Sequence, residues 1–136
     1  MSPANCHAWI LLSAPEQPSG LDQVIGMADA INHAIPTHQE LQDSLGFLQA
    51  VKLIAKAGRT FQLTESGGSL LEQARTLPND SVFDIWNRLE TELSRIQSVS
   101  YEPDDISESE VTEAFNAYET WFQAEYRKLQ SREENQ

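Results

Sequence analysis

A mainly helical fold carrying one small β-hairpin is what this sequence predicts, and three features predict it. A capped run from Thr37 to about Leu53 repeats its apolar residues at helical spacing. Directly after it, a short stretch around Gly58 alternates polar and apolar residues as a half-buried hairpin does. From Val82 onward two more stretches return to helical spacing.

Residues 1–5 are expected to lie outside any helix. Cys6 to Ala14 contains Trp9, Ile10, Leu11 and Leu12, which predicts a short, largely buried first helix. Pro15, Pro18, Ser19 and Gly20 predict a loop. In Leu21 to Ala34 the residues Val24, Ile25, Ala28 and Ile31 share one face of a second helix, which Gly26 weakens slightly.

Thr37 with Glu40 three residues on is a capping-box pattern, so a third helix starts at His38. Leu41, Leu45, Leu48 and Val51 face inward, while Gln39, Gln42, Asp43, Gly46 and Gln49 occupy the opposite face. Lys52-Leu53-Ile54 ends this helix and begins a strand. Ala57-Gly58 supplies the turn and Thr60 to Leu63 the returning strand. Thr64 then caps a fourth helix with Leu70, Leu71 and Ala74 inward.

Leu77-Pro78-Asn79-Asp80 reads as a junction, with Asn79, Asp80 or Ser81 available as the next cap. Val82, Trp86, Leu89, Leu93 and Ile96 repeat at four and three, a seam too short for a coiled coil and suited to packing on the preceding part or on a partner helix. Ser98 to Asp105 is a polar loop. Ser107 and Glu110 form another capping box, opening a last helix that runs to about Leu129. Its apolar face is Val111, Phe115, Tyr118, Phe122 and Leu129, widened by Trp121 and Tyr126. Ser131 to Gln136 are expected to be loose.

The run Leu53-Ile54, Gly58-Arg59, Phe61, Leu63-Thr64 and Gly67 resembles the end of a winged helix-turn-helix domain, in which a β-wing follows the recognition helix and a Leu-Thr-x-x-Gly step leads into the next helix. The resemblance spans Cys6 to Ala74. Asn32 to Thr37 ahead of Glu40-Leu41 is similar to a group of small uncharacterised bacterial winged-helix proteins. It implies a winged-helix-like domain over 1–78, with His38 to Leu53 as the recognition-helix equivalent. Residues 79–136 then form an acidic helical extension that packs on it or mediates dimerisation. One departure stands out: the position before Leu53-Ile54 is often Gly in such domains, and here it is Lys52.

Charge bears on function. The 136 residues carry 21 acidic and 9 basic side chains, a formal net charge of −12. Residues 1–78 hold four basic and seven acidic groups, and 79–136 hold five and fourteen, so the acidity belongs mainly to the C-terminal helices. Such a balance disfavours phosphate backbones and lipid headgroups. The single cysteine, Cys6, excludes an intrachain disulfide and a cysteine zinc framework. The apolar run Ala8 to Ala14 has no basic leader and is too short to span a bilayer, so a cytoplasmic location is expected.

Two readings follow. The expected one is a non-enzymatic regulatory or protein-interaction module, with a protein partner or a second copy of itself. Its candidate interface aromatics are Trp86, Tyr118, Trp121 and Tyr126. The alternative is a transcriptional regulator that binds DNA as a dimer. There Gln39, Gln42 and Gln49 would read base edges, and Lys52, Lys56 and Arg59 would hold phosphates. Three cations are few for that purpose, and Asp43 repels. The carboxylates Glu102, Asp104, Asp105, Glu108 and Glu110 lack the glycine of a calcium loop and read as a solvated helix start. Cys6 with His7, His33 and His38, and Ser66 to Ser69, form no nucleophile–base–orienter set or phosphate loop, so no catalytic, cofactor or metal site is expected.

Overall fold

The structure is a computed structural model that describes residues 1–96 and 99–134. Its described residues form six helices and one antiparallel hairpin: α1 Pro3–Leu12, α2 Leu21–Asn32, α3 His38–Ala50, β1 Ile54–Ala57, β2 Thr60–Leu63, α4 Glu65–Ala74, α5 Val82–Ser94 and α6 Glu108–Glu134. The expected mainly α fold with a small hairpin is what the chain adopts.

Helix α1 is apolar all round, and a helix of that kind has to be buried on every side. It lies at the centre, packed against α2, α3 and α5, with Cys6 to Leu11 all buried. It begins earlier than expected, because Ser2 caps it by accepting from the Asn5 amide and Pro3 opens the first turn, where a proline suits the helix. Two indole N–H groups tie the surrounding helices to the centre. Trp9 donates to the Ala28 carbonyl at 3.0 Å, and Trp86 to the Asn5 carbonyl at 2.9 Å.

Both capping boxes predicted on either side of the molecule form. Thr37 and Glu40 exchange bonds at the start of α3, and Ser107 with Glu110 at the start of α6. Ser81 is the residue that caps α5, again as a capping box, with Asp84. Helix α3 stops at Ala50, short of the expected Leu53. Lys52 adopts a left-handed φ of 62°, the Leu53 amide reaches the Leu48 carbonyl and the Lys52 amide that of Gln49. This is a Schellman ending with lysine where glycine is usual.

The turn of the hairpin is Gly58-Arg59, one residue later than expected, since Ala57 still pairs with Thr60. Gly58 has a φ of 60°, which a side chain would resist. The proline-rich loop is more than a connection. Ser19 exchanges two backbone bonds with Phe61, and the Leu63 amide donates to the Pro15 carbonyl, so the outer edge of β2 is covered. At the entry to α4, Thr64 accepts from the Gly67 amide, and its hydroxyl donates to the Lys52 carbonyl at 2.7 Å. A Cβ on Gly67 would sit 2.1 Å from the Leu53 carbonyl oxygen, which is the physical reason for glycine in the Leu-Thr-x-x-Gly step.

The C-terminal helices complete the core. Helix α5 packs on α1 through Ile85, Trp86, Leu89 and Leu93, while Ile96, the last residue of the expected seam, is exposed. Helix α6 packs on α2. There Gly26 is a seat rather than a weakness: its Cα side faces the Tyr118 ring, and a Cβ would come within 2.9 Å of it. Tyr118 also donates to Asp29 at 2.6 Å. Helix α6 continues to Glu134, beyond the expected end near Leu129. Ser98, the expected start of the polar loop, and Asn135 and Gln136 at the expected loose terminus lie outside the described residues.

Candidate interaction surface

The face of α3 that the sequence assigns to solvent is covered by the chain itself. Residues 101–107, between α5 and α6, lie along it as a strap. The Asp104 amide donates to the Gln42 carbonyl at 2.8 Å, and Gln42 Nε2 donates to the carbonyls of Asp104 and Ile106 at 3.1 and 3.2 Å. His38 Nε2 donates to the same Ile106 carbonyl at 2.7 Å. Tyr101 donates to Asp43 at 2.8 Å and meets Phe47 edge to face. Contact is so close at Gly46 that a Cβ there would lie 2.1 Å from the Glu102 carbonyl oxygen. Ile106 and Asp104 are buried by this packing.

The strap delivers carboxylates to the cations of the hairpin. Lys56 Nζ donates to Asp104 at 2.8 Å and to Asp105 at 2.7 Å, and Gln49 Nε2 donates to the other Asp104 oxygen at 2.7 Å. Arg59 donates to Asp105 at 3.0 Å and through Nε to Glu110 at 3.0 Å, its Nη2 also bonding Glu110. Around them is a shallow cleft of about 450 Å³, lined by Gly46, Gln49, Lys56, Arg59, Pro103 and Asp104 among others. Burial works against the charged Lys56, but its bonds to Asp104 and Asp105 outweigh this and raise its pKa. The bonds from Lys56 and Arg59 hold Asp105 below the usual carboxylate range, and the Arg59 guanidinium does the same for Glu110.

Of the six residues predicted to meet DNA, the structure thus brings Gln42, Gln49, Lys56 and Arg59 together and bonds all four to the chain's own segment 104–110. Gln39 lies in the first turn of α3 and Lys52 in its C-terminal cap, and neither takes part in these bonds. The cation-binding reading of the acidic segment meets the same facts, since Asp104, Asp105 and Glu110 are engaged by Lys56 and Arg59.

The four candidate interface aromatics separate into two pairs. Trp86 is buried between Trp9 and Phe83, and Tyr118 is buried against α2. Trp121 and Tyr126 are exposed on the far part of α6, together with Phe122 and Leu129.

One polar cluster was not legible beforehand. His7 stacks on Phe47 at 4.2 Å, and its Nδ1 lies 2.9 Å from Ser44 Oγ, which in turn bonds Cys6 Sγ at 3.4 Å. Asp43 stands 3.9 Å from Nε2. Ser44 is completely buried, and burial pushes the Cys6 thiol pKa up and disfavours its thiolate. Burial also lowers the His7 pKa against the opposing pull of Asp43. The cluster holds α1 to α3.

Compared with known protein families, curated proteins and solved structures, the chain gives no match. No helix among the described residues is long and apolar enough to cross a membrane.

Proposed function

We propose that this chain is a non-enzymatic protein-interaction module of regulatory type, built on a winged-helix-like scaffold and acting in the cytoplasm. The observation that carries the reading is the strap: the helix face and the cations that a nucleic acid would need are bonded to Asp104, Asp105 and Glu110 instead. Occupied by acids of its own chain, that surface offers a polyanion no unpaired counter-charge at Lys56 or Arg59. The order of three helices, hairpin and helix supports the scaffold, and the aromatic residues left outside on α6 support a protein partner.

A second reading, a DNA-binding transcriptional regulator acting as a dimer, draws on the convergence of Gln42, Gln49, Lys56 and Arg59 on one side of the molecule. It requires the strap to leave. Titration of labelled random and genomic duplexes at low salt separates the two. The proposed function predicts no saturable binding, together with nuclease-resistant capture of a protein partner from native cells. Tight, salt-sensitive binding that Lys56→Glu with Arg59→Glu abolishes would overturn it.

A further inference from the structure

We propose that the projecting C-terminal part of α6 pairs, antiparallel, with the same segment of a second copy of this chain. This names the partner of the interaction module and rests on that reading. Helix α2 has 12 residues and α6 has 27, about 18 Å against about 40 Å at 1.5 Å per residue, so α6 outruns the helix that seats it. Among the described residues, Tyr118 is the last buried one of α6. Beyond it, Trp121 is 60%, Phe122 45%, Tyr126 50% and Leu129 55% exposed.

These four are not scattered. Phe122, Tyr126 and Leu129 follow one another at four and three, continuing the stripe Val111, Phe115 and Tyr118 by which α6 packs on α2. An apolar stripe that runs past its intramolecular partner at unchanged spacing is built for another helix. Large aromatic side chains carry about 150–250 Å² each, so the four expose roughly 400 Å² per copy. That is about half of the ~800 Å² each partner contributes to a stable interface. Flanking polar groups would supply the rest.

Charge selects both the occupant and the direction. The chain as a whole is at −12, yet the projecting part of α6, residues 119–134, holds four acidic and three basic side chains and is close to neutral. This segment is therefore one where two copies meet with little of the repulsion that the rest of the surface imposes. Along it Glu119 and Glu125 precede Arg127, Lys128 and Arg132, and Glu133 and Glu134 close the helix. Parallel pairing would set like charge beside like charge. Antiparallel pairing sets Arg132 of one copy near Glu119 of the other, with Phe122 and Leu129 facing each other across the axis.

Sedimentation equilibrium of the full chain, from low micromolar to near-millimolar concentration, tests this. We expect a reversible dimer with a dissociation constant on the order of 10 μM. Trp121→Glu with Leu129→Glu should weaken it by about a hundredfold, with unchanged circular dichroism, and with unchanged melting at concentrations well below that dissociation constant, because both residues lie outside the core. A monomer at every concentration, or a dimer indifferent to the double variant, overturns the inference. It leaves the wider reading standing, since that is judged by the DNA titration and the protein capture. For the direction, Glu119→Cys and Arg132→Cys variants are mixed and oxidised. The mixed disulfide should dominate, and predominance of the two like-with-like disulfides overturns the antiparallel arrangement.

Discussion

Lys52 shows how much a single residue can reveal and conceal. Its departure from the glycine expected before Leu53-Ile54 is visible in the sequence, and the structure gives the reason that glycine is usual: the residue sits at a φ of 62° in the cap of α3. Left-handed backbone costs a residue with a Cβ about 1–2 kcal/mol. Lys52→Gly removes that strain, with part of the gain offset by the freer unfolded chain. It should stabilise the fold by roughly 0.5–1 kcal/mol, measured as a rise in urea midpoint at constant slope. Gly26 and Gly46 carry the opposite lesson. In the sequence Gly26 reads as a helix-weakening residue and Gly46 as part of the solvent face of α3, yet each marks a close approach, to the Tyr118 ring and to the Glu102 carbonyl, that depends on chain distant in sequence. No local pattern encodes such a contact.

Among the elements, the helices and the hairpin were legible because most carry their own period, and several helices their own cap. Thr37 with Glu40 and Ser107 with Glu110 announce α3 and α6 locally. The strap carries no period. Its composition, polar with Pro103 in the middle, reads as an ordinary loop. The clues that it packs down were Tyr101 and Ile106 within it, and Gly46 with Phe47 on a helix face otherwise assigned to water. The strap also changes the meaning of the candidate site, since Gln42, Gln49, Lys56 and Arg59 all bond one segment that lies more than 45 residues away in sequence. Gly46→Ala forces a Cβ against backbone rather than a flexible side chain. Loss of about 1–3 kcal/mol is expected, with hydrogen exchange at the Asp104 amide accelerating before that of α1. Unchanged protection at Asp104 would mean the strap contributes little.

For the whole molecule, the ionisable groups define a stability plateau. His7 is buried with its pKa lowered from the ordinary 6.5, so the unfolded chain takes up a proton first, and stability falls as pH drops below about 6.5. A second fall follows in the carboxylate range. Asp80, which accepts from Arg88 and from the Leu77 and Thr76 amides, is lowered from 3.8 to about 2, and its contribution disappears as pH falls between those values. On the alkaline side, burial raises the Cys6 thiol above 9.0, and burial with bonds to Asp43 and Asp29 raises Tyr101 and Tyr118 to about 12. Raised acids favour the folded state only below their unfolded values, so stability declines above about pH 9. Melting temperature against pH should therefore be flat between about 6.5 and 9. In His7→Asn the first acid slope, and only that slope, should vanish.

The engagement of Lys56, Arg59 and Arg88 by carboxylates of the same chain has a consequence for how the molecule travels. Charges satisfied internally are withdrawn from encounters, so a polyanion that meets this face finds these three cations already taken.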